Sequence, residues 1–119
     1  NERLQRLYQA TIVEHQAIAH ELAKMEVDIQ ASTLLIYYAA WLMDQKMPHN
    51  VEAAVCKYHV TEGGLRIVDN ATRIFGAYGA STEMNVQRYF RDMRWLLYGA
   101  GTQPMILNII TSELQRGRR

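Results

Sequence analysis

The sequence predicts an all-α fold, an antiparallel up-and-down helical bundle. Three observations support this prediction. Apolar residues recur at helical spacing along four segments, no segment alternates polar and apolar residues as a strand does, and 49% of the 119 residues are hydrophobic. A chain of this size and composition can bury a single core. We therefore expect residues 1–119 to form one domain.

Charge and cysteine usage narrow the kind of protein. The formal net charge is +1 and 21% of the residues are charged, so the overall balance favours neither a nucleic acid nor a membrane surface as partner. Cys56 is the only cysteine, which rules out an internal disulfide and favours a reducing compartment. The longest uncharged apolar run, residues 31–43, is shorter than the ~20 residues needed to cross a bilayer. We expect a soluble, cytoplasmic protein, or one of the mitochondrial matrix in a eukaryote.

The first long helix is predicted to begin at Thr11, after a segment 1–10 that resembles the last turns of another helix. Glu14 follows Thr11 by three residues, the pattern in which each side chain bonds the other residue's backbone N–H at a helix start. Helical spacing then predicts a core-facing stripe of Ile18, Leu22, Met25, Ile29, Ile36 and Met43. Residues 34–43 carry no charge, so this half is expected to be covered on several sides.

The second helix is predicted over residues 51–74, with Asn50 as its N-cap after the break at Pro48. Gly63 and Gly64 lie in its interior, where each glycine costs about 1 kcal/mol relative to alanine. Because of this cost, we expect the two glycines to have a structural role. We interpret the pair as a place where another backbone approaches closely, with a local break as the less favoured alternative.

Two shorter helices are predicted next. Gly76 and Gly79 end the second helix, and Thr82 or Asn85 caps the third. Its apolar side is predicted to carry Val86, Tyr89, Phe90, Met93 and Leu97, and its polar side Arg88, Arg91 and Asp92. A loop at 99–101 ends it, Thr102 caps the fourth helix, and Pro104 lies in the first turn. The fourth helix has Ile106, Ile109, Ile110 and Leu114 on its apolar side, and the basic end, residues 116–119, is expected to fray.

Several kinds of site are disfavoured by these residues. His15 with His20 and Cys56 with His59 lack the further ligands that a metal site needs, so none is expected. Cys56 is interpreted as a packed cysteine rather than a nucleophile. Arg88, Arg91 and Arg94 alternate with aromatic residues, but on one helix the two types face different sides, which argues against single-stranded nucleic acid.

An anion site is the more attractive interpretation. The turn at 76–80 and the helix start at Gly101 and Thr102 both offer backbone N–H groups of the kind that favour phosphate. Arg73 could add positive charge. From the residues alone, a purely structural turn is an equal alternative.

The order of motifs resembles one known family. VEHQAI at 13–18, LAKM at 22–25, AAW at 39–41, RIFGAYG at 73–79, QRYFRDMR at 87–94 and GT at 101–102 follow one another at matching spacing. Together they resemble the C-terminal helical domain of the acyl-CoA dehydrogenases. The resemblance covers nearly the whole chain and implies that its first bundle helix is missing.

This resemblance implies a flavoenzyme that uses FAD to dehydrogenate the α and β carbons of an acyl-CoA thioester. It also implies an electron-transfer flavoprotein-type acceptor and a homo-oligomer, dimer or tetramer, in which this domain contacts FAD and forms the interface. The implied cofactor-binding residues are Arg73, Gly76, Ala77, Thr102 and Gln103. The implied substrate-binding residues are Tyr98, Gly99, Ala100 and Gly101.

Departures from the family pattern bear on catalysis. Ala100 stands where the family's usual catalytic glutamate lies, so this chain is predicted to carry no catalytic residue. The string GAGT at 99–102 resembles the isovaleryl-type branch, whose base comes from a preceding helix. Ala77 and Pro104 also depart from the pattern, as does Arg73, where the family has glutamine. We expect the isolated chain to be inactive and to self-associate. The alternatives are a partner subunit of a hetero-oligomeric dehydrogenase and a non-catalytic helical scaffold.

Overall fold

The computed structural model describes residues 11–117, and these form helices without any strand. A 3-10 turn at Ile12–Glu14 precedes α1, Gln16–Asp44, and α2, Asn50–Phe75. A second 3-10 turn, Gly76–Ala80, separates α2 from α3, Val86–Leu96, and α4 follows at Gln103–Gln115. The predicted all-α class is confirmed. The helical turns predicted for 1–10 and the last two residues of the basic end lie outside the described residues.

The second helix is the centre of the molecule, because α1, α3 and α4 each pack against α2. α1 runs antiparallel to α2, with Asp28 opposite Arg66. α3 also runs antiparallel, since its residue Met93 lies beside Gly64 and its last residue, Leu96, lies beside Lys57. The first residue of α4, Gln103, reaches Thr61 and Glu62. None of the described helices is long and apolar enough to cross a membrane.

The glycine pair in α2 is a place of close packing as predicted, but the nearest atoms belong to side chains and not to another backbone. A Cβ added at Gly63 would lie 3.6 Å from Asp28 Oδ1 on α1, and one at Gly64 would lie 2.1 Å from Met93 Cε on α3. Gly64 therefore gives room to Met93 of α3, whereas a Cβ at Gly63 would make only ordinary van der Waals contact with Asp28 of α1. The helix continues through both of them without a break.

The predicted stripe of α1 is correct only in its first half. Ile18, Leu22 and Met25 are half-buried, whereas Ile29, Ile36 and Met43 are exposed. The buried residues are instead Ser32 and Leu42, with Leu35 and Ala39 half-buried between them. An α-helix drifts about 20° for every seven residues relative to a seven-residue repeat, so the stripe moves around the helix. The uncharged segment 34–43 gave no polar face to reveal that drift, and the expectation that it is covered on several sides is wrong for this chain.

The helix starts differ from the predictions by a few residues. The Thr11 N–H donates to Glu14 Oε2 at 2.9 Å as expected, but this pair closes the 3-10 turn and α1 begins only at Gln16. Asn50 is the first helical residue of α2, and His49 precedes it. Asn85 and Thr102 do precede α3 and α4, although neither side chain caps its helix.

Among the apolar sides predicted for the short helices, Leu97 and Ile106 are buried and join Leu42 and Ala54 in the core. Tyr89, Ile109 and Leu114 are exposed, contrary to expectation. Among the described elements, α3 packs against α2 and the 3-10 turn at Gly76–Ala80, and α4 packs against α2. A narrow strip of each helix is enough to make these contacts.

Candidate cofactor and substrate site

The turn that follows α2 is built on two glycines with different tasks. Gly76 has φ of 60° and its N–H donates to the Arg73 carbonyl, which ends the helix. Gly79 is buried against α2, where an added Cβ would lie 2.4 Å from the backbone oxygen of Thr72. The turn therefore folds back on the helix that it ends, and it leaves Ala77 and Tyr78 exposed.

Arg73 lies on the last turn of α2 beside this loop. Its guanidinium donates from Nε to Asp69 Oδ2 at 2.9 Å, and its side chain is 75% exposed. An exposed ion pair within one helix is weak, because water screens both charges. Arg73 can therefore turn toward an anion at little cost.

A groove of about 360 Å³ lies between the end of α2, the 3-10 turn and α3. Its walls combine apolar atoms with the polar side chains of Asp69, Gln87 and Arg91. The residues that line it are Asp69, Thr72, Gly79, Ala80, Gln87, Phe90 and Arg91. Sequence reasoning did not assign Gln87 or Phe90 to any site; their spacing of three on one helix face was the available signal.

The second loop, residues 97–102, connects α3 to α4 and carries the predicted substrate-binding residues. Leu97 is buried, whereas Tyr98 and Ala100 are exposed. An added Cβ at Gly99 would lie 2.9 Å from the Trp95 ring, so a larger residue there would displace that exposed ring. Ala100 and Gly101 both have positive φ, 56° and 106°. This backbone turns the loop sharply just before α4 begins.

Gln103 faces inward, toward α2. Its Nε2 donates to Thr61 Oγ1 at 3.1 Å and to Glu62 Oε1 at 2.9 Å, and its Oε1 is buried without a hydrogen-bond partner among residues 11–117. Thr102, one residue earlier, is exposed, and its hydroxyl makes no capping bond. Thr102 and Gln103, two of the five predicted cofactor-binding residues, therefore face different directions, and Thr102 is the more accessible.

The predicted residues fall into two groups rather than one pocket. Arg73, Gly76 and Ala77 lie at the C-terminal end of α2, whereas the 97–102 loop approaches α2 at Thr61 and Glu62. Eleven residues of helix separate Glu62 from Arg73, a distance of about 17 Å along the axis. A ligand that touches both groups must be extended, or each group must serve a different molecule.

Two other kinds of site considered from the sequence, a cysteine nucleophile and a metal site, gain no support from the structure of the described residues. Burial raises the pKa of the Cys56 thiol, which disfavours the thiolate that a nucleophile needs. Within residues 11–117, no three histidine, cysteine, aspartate or glutamate side chains gather as a metal site would require.

Comparison with known proteins identifies the family. The model of the acyl-CoA dehydrogenase C-terminal domain matches residues 3–115, and the chain therefore belongs to the acyl-CoA dehydrogenase family as its C-terminal helical domain. The benzylmalonyl-CoA dehydrogenase of Aromatoleum aromaticum is 43% identical over 99 residues, which are 83% of this chain and 26% of that protein.

Solved structures support the same family assignment. Butyryl-CoA dehydrogenase from Megasphaera elsdenii superposes with a TM-score of 0.86 and 33% identity, over 87% of this chain and 27% of that one. A chain from the structural study of the electron transferring flavoprotein of Acidaminococcus fermentans also superposes with a TM-score of 0.86, at 28% identity, over 88% of this chain and 28% of that one. The chain thus spans about a quarter of the length of the relatives it matches.

Proposed function

We propose that this chain is the C-terminal helical part of an FAD-dependent dehydrogenase that introduces an α,β double bond into an acyl-CoA thioester. The observation that carries the proposal is the family match, whose range, residues 3–115, includes both loops of the site. The names of two relatives, benzylmalonyl-CoA dehydrogenase and butyryl-CoA dehydrogenase, support a CoA thioester as substrate. The similarity to a chain studied with an electron transferring flavoprotein supports an acceptor of that kind.

The residues of the first loop suit the phosphate-bearing part of FAD. Nothing lies within 4 Å of a Cβ built at Gly76, so a ligand can approach the backbone there. Arg73 offers an exposed positive charge one turn earlier, and Ala77 is exposed beside it. Cationic groups and open backbone are what a pyrophosphate requires. We assign Arg73, Gly76 and Ala77 to that contact.

The second loop is assigned to the flavin and the acyl thioester. FAD supplies the hydride acceptor when it is bound. Thr102 presents a free hydroxyl, and Tyr98, Gly99, Ala100 and Gly101 form the exposed edge over which the acyl chain would lie. Gln103 supports this loop from below through Thr61 and Glu62. The separation of the two groups suits the contact of one domain with two cofactors in an oligomer.

Proton abstraction from the α carbon requires a base, and the methyl group of Ala100 cannot accept a proton. We infer that the base lies on another part of the complete protein, as in the isovaleryl-type branch that GAGT resembles. The 119-residue chain alone is expected to be inactive for this reason.

The proposal is tested on the complete protein that carries this chain. Purified protein is expected to show the absorbance of bound FAD, and anaerobic addition of acyl-CoA thioesters is expected to bleach it. Protein without flavin, after reconstitution with excess FAD, would overturn the proposal. Flavin that no acyl thioester reduces would leave the family assignment intact and remove the activity.

The role of Arg73 has a separate test. Arg73→Ala is expected to weaken FAD binding about tenfold, since one charge-assisted hydrogen bond to phosphate is lost. Arg88→Ala is the matched control, because Arg88 is also exposed and faces a carboxylate of its own helix, Asp92. Equal FAD affinity in Arg73→Ala and the unaltered protein would remove this role.

A second candidate is a subunit that keeps the oligomer surface but not the catalysis, either a non-catalytic scaffold or a partner in a hetero-oligomeric dehydrogenase. Ala100 favours it, because the usual carboxylate is absent from this loop. Flavin reduction by an acyl thioester in the purified homo-oligomer excludes both versions. Reduction that appears only after a second subunit is added supports the hetero-oligomer.

A further inference from the structure

Both ends of the 97–102 loop are attached to the same short segment of α2, residues 57–62. Leu96, the last residue of α3, accepts a hydrogen bond from the Lys57 ammonium through its carbonyl oxygen. Gln103, the first residue of α4, donates to Thr61 and Glu62. The loop is therefore anchored immediately before its first residue and immediately after its last.

The Lys57 contact is favourable for two physical reasons. The last carbonyl groups of a helix lack partners within the helix, and they carry the negative end of its dipole. An ammonium group satisfies one such carbonyl and places a positive charge at the same end. Lys57 thereby holds α3 at the point where its chain leaves the helix.

Thr61 supports the Gln103 anchor. It is buried, and its hydroxyl donates to the backbone carbonyl of Lys57, one turn earlier in α2, at 2.8 Å while it accepts from Gln103 at 3.1 Å. A hydroxyl has one proton and two lone pairs, so it can serve both neighbours at once. Removal of the Gln103 amide would leave Glu62 without that partner and would free the start of α4.

The loop needs such support because its backbone is unfavourable by itself. Ala100 has φ of 56°, a region that residues with a Cβ seldom adopt, and Gly101 follows with φ of 106°. Left-handed residues of this kind persist where the surrounding structure holds them. The exposed Tyr98 and Ala100 themselves provide no such hold.

We propose that Lys57 and Gln103 are positioning residues that fix the 97–102 loop from below, and so set where Tyr98 and Ala100 meet the acyl thioester. The part that concerns the thioester rests on the proposed function. Neither side chain would touch the substrate: one ends on Leu96 O and the other on Thr61 and Glu62. Their effect would act through the loop backbone.

The experiment compares Lys57→Met, Gln103→Leu and Lys57→Arg in the flavin-loaded complete protein. Amide hydrogen exchange across residues 97–102 is expected to rise about tenfold in the first two variants, because the local opening of the loop becomes easier. Lys57→Arg keeps a cationic donor and should exchange at nearly the original rate. The control is Lys24→Met, which removes an exposed lysine paired with Glu21 on α1.

Turnover is measured on the same samples. The value of kcat/KM should fall about tenfold in Lys57→Met and Gln103→Leu and recover in Lys57→Arg, as expected for a displaced contact surface. Unchanged exchange in both variants would overturn the anchoring. Faster exchange with unchanged kcat/KM would overturn the positioning role. If the unaltered protein does not reduce its flavin, the proposed function fails, and the exchange comparison still decides the anchoring.

Discussion

Gly64 lies on α2, and Gly79 packs against α2 from the turn that follows it. The atoms that face these two glycines differ in kind. A Cβ at Gly64 would meet the end of the flexible Met93 side chain, whereas a Cβ at Gly79 would meet the backbone of Thr72 at 2.4 Å. A methionine can move its terminal methyl group, and a helix backbone cannot move without loss of its hydrogen bonds. Only the second glycine is therefore required by sterics alone.

This difference predicts that glycine-to-alanine substitutions at the two positions change the stability of the domain by different amounts. Gly79→Ala should destabilise the domain by about 1–3 kcal/mol, as overpacking does. Gly64→Ala should change stability by less than about 1 kcal/mol, because the gain in helix propensity offsets the shift of Met93. Urea unfolding followed by circular dichroism measures both. Equal losses in the two variants would contradict the argument.

At the same scale, the sequence predicts candidate residues for the site but not the directions in which their side chains face. Gly76, Ala100 and Thr102 follow from loop composition and from the family resemblance, and their roles stay predictions. The inward orientation of Gln103 was not found, because its partners Thr61 and Glu62 are about forty residues away in the chain. Lys57 was missed for the same reason, since its acceptor is a backbone carbonyl that no sequence pattern marks.

Among the elements, α1 and α2 are joined by one ion pair between helices. Arg66 donates to both carboxylate oxygens of Asp28, at 3.1 and 2.8 Å, and the pair lies beside Gly63. The hydrogen bond from Arg66 lowers the pKa of Asp28, against the opposing effect of burial. A lowered pKa in the folded state means that the ionised carboxylate stabilises the fold.

The ion pair predicts a pH-dependent loss of stability. Its contribution is complete above the unfolded pKa of about 3.9 and is lost as the pH falls through the lower folded value. Asp28→Asn should cost about 1 kcal/mol at pH 7, a modest figure because Arg66 is largely exposed, and the difference should be smaller at pH 3, as protonation of Asp28 weakens the ion pair. Urea midpoints at pH 7 and pH 3 measure this. Glu21→Gln, which breaks an exposed pair within α1, is the control and should change little at either pH.

The helices themselves were predictable in number, order and approximate length, because a 3.6-residue period is a local property. Their ends were less so. α1 ends at Asp44. Two residues later, the φ of 56° at Lys46 allows Met47 N–H to donate back to the Leu42 carbonyl, a C-terminal motif that usually uses glycine. The sequence pointed to Pro48 instead. The drift of the buried stripe along α1 depends on where α2 lies, and a single helix pattern does not contain that information.

The whole molecule is elongated, and this shape limits what it can bury. Its radius of gyration is 18.9 Å, against roughly 13.5 Å for a compact domain of this length. The principal extents are 66 × 26 × 26 Å. Only four apolar residues are buried in the described part of the chain. The single core expected from composition is therefore a thin seam along α2, and much apolar surface stays exposed.

The second half of α1 carries a group of large apolar side chains that remain exposed. Leu34, Tyr37, Tyr38 and Trp41, here called the α1 band, lie on one side of the helix and are 49–70% exposed. The Tyr38 and Trp41 rings stack on each other with centroids 6.2 Å apart, so the band presents a continuous apolar surface. Surfaces of this kind drive association. We expect the isolated chain to self-associate through the α1 band.

Light scattering over a range of protein concentrations measures this association. The apparent mass of the isolated chain should rise with concentration, and Leu34→Lys with Tyr37→Lys should lower it toward the monomer, since two charges would have to be buried in the contact. Leu114→Lys is the matched control, because Leu114 is an exposed apolar residue on α4, away from the band. A monomer at every concentration would contradict the prediction. Equal effects of the control and the double variant would place the contact elsewhere on the molecule.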